Sequence, residues 1–414
     1  MRPRPSWPGA VFLLMPLKFA FVRPSSGPVF DWFHTADLPF NQLPSLHVAL
    51  LLIVGDVFVR RSRGWVRAAL LVWFGLIAAS PLLVCQHHLT DLVAGLALGL
   101  LCLHFIRDEF LIPPFERNRR VATYYSAAAI FTIGTSICLG KCSWPLWWPA
   151  MSLSIVAIGY WFVGPAIYGK TDGRISLAAK LLLWPVLLGQ HASLRWYGRR
   201  CRPHDAVTDR LWIGRQLSES EAAAARVNGV GAVIDLTCEF TEPRSFREWK
   251  TGGALRRGSA AKTPRGRSVS FLLRVCAFLR AAFFGREDAT RMSANQARQA
   301  QYLQLPVLDL TAPTSDQIDQ AVKFIEKHAA HKIVYIHCKV GYSRSAVIAA
   351  AYLLATGRAD SVDHVIAMLR AARPTIIIRP EARRAIEKLH ADSRADSAAP
   401  EIDSGVPRLP GDLW

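Results

Sequence analysis

A chain of 414 residues with 51% hydrophobic residues and a mean hydropathy of +0.19 is too apolar for one soluble globule, and it has room for two or three domains. Its 50 Lys and Arg against 31 Asp and Glu, a formal net charge of +19, suit a membrane protein whose basic residues gather on one side of the bilayer. No nucleic-acid-binding motif accompanies that charge, which argues against nucleic acid as a partner, and eight cysteines without a C-x-x-C pair make neither a disulfide scaffold nor a structural zinc site.

Residues 11–190 read as long apolar runs broken by short polar loops. The first run, 11–22, is short, contains Lys18 and has no cleavage site, so it is read as retained. Runs at 48–59, 67–84, 91–106, 121–140 and 145–167 approach the roughly 20 residues a spanning helix needs. The run at 175–190 carries Lys180 and Pro185 and reads as interfacial or re-entrant. The expectation is an all-α transmembrane domain over residues 1–200 with about five or six spans. Arg60, Arg61, Arg63 and Arg67 form one basic cluster. Arg117, Arg119 and Arg120 form a second, and Lys170, Arg174, Arg195, Arg199 and Arg200 a third. All three share a side if the spans alternate, which makes that side cytoplasmic. The loops at Pro44–His47 and Cys85–His88 then face outward.

After Pro203 the texture changes to alternating strands and helices. Ala232–Leu236, Leu305–Leu308 and Ile333–Ile336 read as short buried strands, and Glu219–Val227 and Gln317–His328 as amphipathic helices. They predict an α/β domain over residues 204–390, with a central sheet of about four or five strands flanked by helices. Residues 247–300 interrupt it with a dozen Arg and Lys and three acids around an amphipathic core at Phe271–Phe284. This insertion either lies on an anionic membrane surface or is poorly ordered. The tail 391–414 reads as disordered.

The strongest motif is His337-Cys338-Lys339-Val340-Gly341-Tyr342-Ser343-Arg344-Ser345, between a strand and the apolar helix Ala346–Ala355. A loop there turns backbone N–H groups inward at the positive end of a helix dipole, which makes an anion cradle. Gly341 permits the tight turn, and Arg344 can grip two phosphoryl oxygens with its planar fork. The same field favours a Cys338 thiolate as nucleophile. Asp309 is the expected general acid for the departing oxygen, with Asp316 as the alternative, and Ser345 the residue that assists release of sulfur. The segment from Asp209 to Leu389 resembles the dual-specificity branch of the protein tyrosine phosphatase superfamily, through this motif, Leu211-Trp212-Ile213-Gly214-Arg215 and Ala371-Ala372-Arg373-Pro374. The resemblance implies a phosphocysteine intermediate, no metal and no cofactor. Its Cys-Lys-x-Gly variant is similar to lipid-directed members, including phosphatidylglycerophosphate and phosphoinositide phosphatases.

A second constellation lies in the membrane half: Lys18 and Arg23, then His47 in Pro44-Ser45-Leu46-His47, then His87 and Asp91 in His87-His88-Leu89-Thr90-Asp91. Lys18 and Arg23 could bind phosphate oxygens and His47 protonate a leaving alkoxide. His87 could attack phosphorus with its tautomer held by Asp91. Over residues 13–106 this arrangement resembles the type 2 phosphatidic acid phosphatase superfamily, especially its inositolphosphotransferase-like branch. Pro81 stands where that family commonly has Arg, and the chain begins near that family's third helix.

The resulting expectation is a multi-domain protein: an all-α membrane half, then a cytoplasmic α/β cysteine phosphatase acting on a phosphorylated lipid or protein. One alternative places the main activity at the external histidine site, with the soluble domain regulatory. Another is a catalytically silent sensor of phosphorylated ligands.

Overall fold

The computed structural model describes residues 27–28, 31–32, 43–84, 86–106, 114–247, 301–380, 382–388 and 391. The expected elements at 11–22 and Phe271–Phe284, and the tail beyond residue 391, lie outside them. The chain divides into two compact units. Met1–Pro113 and Arg119–His191 belong to the first, and Pro114–Asn118, Ala192–Trp249 and Arg298–Trp414 to the second.

The first unit is helical. It holds α1 (Leu46–Arg61), α2 (Gly64–Leu83), α3 (Leu89–Phe105), α4 (Arg119–Leu139) and α5 (Trp147–Ile158). Their apolar residues run around the whole helix rather than along a stripe, and many are exposed: Leu71, Val72, Trp73 and Leu76 on α2, Ile130 and Phe131 on α4. A helix apolar all round needs an apolar surrounding. Among the described residues, Gly64–Leu83, Arg119–Leu139 and Ser143–Tyr168 are long and apolar enough to cross a membrane; α1 and α3 have 16 and 17 residues.

The run expected as one span at 145–167 is irregular. A 3-10 turn precedes α5, and a π turn at Gly159–Val163 and a 3-10 turn at Gly164–Tyr168 follow it. The irregularity ends at Gly164, with φ +72, followed by Pro165, two residues that cannot prolong a helix in place. The 175–190 run begins in a two-stranded hairpin, β1 (Lys170–Thr171) and β2 (Arg174–Ile175), and continues as α6 (Leu177–Leu182) and α7 (Trp184–Gly198).

Helices α1 and α3 pack through small residues. A Cβ on Gly95 would collide with the Ser45 carbonyl, and one on Gly99 would sit 3.0 Å from Ala49 O.

The second unit is a five-stranded sheet in the order β3-β4-β7-β5-β6. Its strands are β3 (His204–Thr208), β4 (Leu211–Arg215), β5 (Val230–Thr237), β6 (Tyr302–Val307) and β7 (Ile333–Cys338). Only β3 runs antiparallel, to β4. Strands β5 and β7 are buried along almost their whole length, as a parallel sheet covered on both faces requires. Helices α8 (Glu219–Val227) and α10 (Ser315–Ala329) each open on a capping box, Ser218 with Glu221 and Thr314 with Gln317. The short α9 (Arg244–Arg247) follows β5, and α11 (Arg344–Ala355) and α12 (Val362–Ala372) follow β7. Helix α11 is the core: residues 344–353 are all buried, and its Ala-rich face packs on the sheet. Sheet with helices is therefore the architecture here, with β3 the strand that sequence patterning passes over.

Replacing Gly95 by Val is expected to destabilise the first unit by about 1–3 kcal/mol through overpacking. The midpoint of thermal unfolding in detergent reads this, with Gly75→Val, which meets open space, as the milder control.

Candidate active site

Four parallel strands end at the same edge of the sheet, and Cys338, Lys339, Arg344 and Asp309 come together there, at the edge where open α/β sheets bind ligands. Cys338 closes β7, register-paired with Arg215 at the end of β4. Leu236 and Thr237 end β5, and Asp309 lies two residues beyond β6. The loop 339–343 then turns into α11. Two glycines let that loop lie against β4: a Cβ on Gly341, whose φ is +77, would come 2.5 Å from Gly214 O.

Cys338 is buried, and its sulfur receives the Gly341 N–H at 3.2 Å and lies 3.6 Å from Ser345 Oγ. Burial pushes the thiol up, but the Arg344 charge and the hydrogen bonds from Ser345 and Gly341 outweigh it, so the thiol is held below its ordinary value. The N-cap of α11, Ser343, makes no side-chain cap. The first N–H groups of the helix are thus not taken by a side-chain cap, and that of Ser345 is directed at the Cys338 sulfur.

Arg344 is 2% exposed. Its Nη1 donates to Val307 O at 2.7 Å, Leu236 O at 3.2 Å and Glu239 Oε2 at 3.3 Å, and its Nη2 to Glu239 Oε1 at 2.7 Å and Asp309 Oδ1 at 3.2 Å. The other oxygen of Asp309 accepts from Lys339 Nζ at 3.3 Å. Burial raises the Glu239 carboxyl, and the facing guanidinium more than reverses this, leaving it low; Arg344 is correspondingly held well above its ordinary value.

Cys338, Arg344, Asp309 and Lys339 line a cavity of about 180 Å³ with Tyr197, Leu310, Thr311, Val340, Tyr342, Ser343, Ile377 and Arg379. Tyr342 OH meets Cys201 Sγ at 2.8 Å, and burial together with that thiol pushes the phenol up to about 12. Asp316, the alternative acid, is exposed in the first turn of α10 and does not line the cavity.

His337 points to the other face of the sheet, between Glu242 at 3.2 Å and Asp235 at 3.8 Å. Asp235, Glu242 and His337 are the one group among the described residues with metal-ligand spacing. Asp235 Oδ1 accepts from the N–H and hydroxyl of Thr237, its Oδ2 from Tyr302 OH, and Glu242 Oε2 from Gln216, whereas Glu242 Oε1 is buried without a hydrogen-bond partner. The three side chains form a buried cluster on the face of β7 opposite Cys338.

Sequence reasoning missed Glu239, the buried partner of Arg344. Its signal is positional: an acid two residues past a buried parallel strand, at the edge where the nucleophile also emerges.

In the first unit, His47 is in the first turn of α1 and His87 directly precedes the N-cap of α3. Their ring centroids are 6.0 Å apart. His87 Nδ1 is 3.5 Å from Asp91 Oδ2, which also accepts the His88 N–H at 2.9 Å. Lys18 and Arg23 lie outside the described residues.

Glu239→Gln is expected to lower stability by about 3–5 kcal/mol, the cost of leaving a buried charge under-compensated, seen as a lower thermal midpoint. Because the Cys338 thiol is held low, its alkylation by iodoacetamide should persist to lower pH than for an ordinary cysteine and fall away only as pH drops through that depressed value. A profile like that of a free thiol contradicts the electrostatics described.

Residues 284–390 match the family model described as dual specificity phosphatase, catalytic domain, and residues 19–105 match that of the PAP2 superfamily. Phosphatidylglycerophosphate phosphatase PTPMT2 of Arabidopsis thaliana is 33% identical over 104 residues, which covers 25% of this chain and 45% of that protein. Phosphatidylglycerophosphatase and protein-tyrosine phosphatase 1 of Mus musculus is 32% identical over 119 residues, covering 27% of this chain and 61% of that protein. The chain thus spans about half to three-fifths of the length of the curated relatives it matches. A crystal structure of PTPMT1 is 19% identical and covers 47% of this chain and 98% of its own, with a TM-score of 0.31. The chain thus carries a match to the PAP2 superfamily at residues 19–105 and one to the dual specificity phosphatase catalytic domain at residues 284–390.

Proposed function

We propose that this protein is a membrane-anchored phosphatase that hydrolyses phosphomonoesters through a phosphocysteine at Cys338. The observation that carries the reading is the convergence, in one cavity, of a low thiol, a buried arginine, uncapped helix N–H groups and a carboxyl. The phosphoryl group sits over the loop, its oxygens taken by the N–H groups and by Arg344. The Cys338 thiolate attacks phosphorus, the ester bond breaks, and Asp309 gives its proton to the leaving oxygen. Water then attacks the phosphocysteine with Asp309 as base, and the Ser345 hydroxyl stabilises the departing thiolate.

The rim of the cavity favours a phosphorylated lipid. Leu310, Ile377 and Tyr197 are 39%, 50% and 42% exposed beside the cations Lys339 and Arg379. An anionic head group attached to an apolar body matches that mixture. The relatives named for phosphatidylglycerophosphate point the same way. The basic clusters at residues 60–67, 117–120 and 170–200 favour a cytoplasmic Cys338, where a reducing compartment keeps the thiol free.

A second reading, phosphate transfer or hydrolysis at the membrane histidines, draws on the approach of His47, His87 and Asp91. The full-length protein in detergent separates the two. Phosphate release from a phosphatidylglycerophosphate-type lipid should exceed that from a phosphotyrosine peptide and vanish in Cys338→Ser. Release that survives Cys338→Ser and is lost in His87→Ala transfers the activity to the membrane site. Asp309→Asn should lower kcat about 10²- to 10⁴-fold on alkyl phosphates, and much less on an aryl phosphate whose leaving oxygen needs no proton.

A further inference from the structure

Arg344 holds the front of the Cys338 loop. A second arginine, which no step above uses, holds its back. Arg373 follows α12 and is 1% exposed. Its Nε donates to Gly341 O at 3.1 Å, and its Nη2 to Val340 O at 3.1 Å and Arg202 O at 3.2 Å. Its Nη1 pairs with the Asp205 carboxylate of β3 at 2.5 Å.

The two loop carbonyls have a specific consequence. In a trans peptide unit the C=O and the following N–H point in opposite directions. A guanidinium behind Val340 O therefore turns the Gly341 N–H forward, and that N–H does donate to Cys338 Sγ at 3.2 Å. The same holds for Gly341 O and the Tyr342 N–H. The joint between the two units is a glycine at φ +77, where a peptide flip meets little steric resistance. A flip would aim a carbonyl oxygen at the phosphate and the thiolate.

We propose that Arg373 is a positioning residue of the phosphate loop: it binds the Val340 and Gly341 carbonyls from behind so that the following N–H groups face Cys338, with Asp205 holding the guanidinium in place. This rests on the phosphocysteine reading for its effect on turnover, but its effect on the thiol is read without turnover.

The test compares full-length wild type, Arg373→Lys and Asp205→Asn in detergent. Iodoacetamide labelling of the Cys338 peptide is followed by mass spectrometry against pH, beside kcat, KM and the thermal midpoint with an aryl phosphate. Lysine keeps the charge near Asp205, but a point ammonium cannot span both carbonyls in one plane. The expected result for Arg373→Lys is a labelling profile moved to higher pH and a kcat lower by about 10²-fold, the scale of a small misplacement of reacting groups, with KM changed far less. Asp205→Asn should shift both in the same direction by a smaller factor, which keeps the test open should the lysine variant fold poorly. A lower thermal midpoint with an unmoved labelling profile and unchanged kcat per folded molecule, in whichever variants fold, overturns the proposal and leaves Arg373 a structural residue. Wild-type Cys338 that labels like a free cysteine removes the phosphocysteine reading itself.

Discussion

Arg344 brings a full positive charge into a site where its side chain is 2% exposed, and the rest of the second unit is arranged around meeting that charge. An ion taken out of water costs several kcal/mol unless it is paired and its remaining donors are filled. Here the pairing comes from Glu239 and Asp309, and the filling from Leu236 O and Val307 O, the ends of β5 and β6. One side chain from α11 thus binds the ends of β5, which pairs with β7, and of β6, which pairs with β5. Asp309, with a quarter of its side chain exposed, is the carboxyl that solvent reaches, whereas Glu239 at 1% is sealed.

The parts of this site that were legible from sequence are those in which local chain geometry does the work. A buried strand, a loop with Gly341 and an Ala-rich helix bring Cys338 and Arg344 to one cavity because all of it happens within nine residues. Helix α8 was readable to its end residues because Ser218 and Glu221 form its capping box at the first turn. Strand β3 was not, because an antiparallel edge strand with partly exposed faces has neither a continuous apolar run nor a clean alternation. Glu239 was not legible either. What it does depends on Arg344, 105 positions away, and nothing local to Thr237-Cys238-Glu239 states that partnership.

The insertion explains part of that difficulty. Strands β5 and β6 are neighbours in the sheet, with Val233 opposite Tyr302, yet the basic segment 247–300 separates them in the chain. The match to the dual specificity phosphatase model begins at residue 284, after the strands β3, β4 and β5 and after Glu239. The sheet nonetheless closes across the gap, because β7 at its centre pairs with β4 and β5, and the burial of their apolar side chains does not depend on loop length. In the first unit the limits were different. Apolar composition marks helices that face an apolar surrounding, but it does not mark where glycine and proline bend them, as at Gly164 and Pro165.

The loop around Cys338 is therefore enclosed by two buried ion pairs, Arg344 with Glu239 in front and Arg373 with Asp205 behind. Each arginine brings its own carboxylate, so neither adds an unbalanced charge to the fold. This matters for what attracts the phosphate. Were the arginines unpaired, their repulsion across a five-residue loop would oppose folding before any ligand arrived. The field that holds the Cys338 thiol low comes first from the Arg344 charge and then from the hydrogen bonds of Ser345 and Gly341. Orientation of the peptides around Gly341 is then a quantity the fold has to control beside that charge, and a guanidinium on the carbonyl side controls it more rigidly than packing against a glycine can.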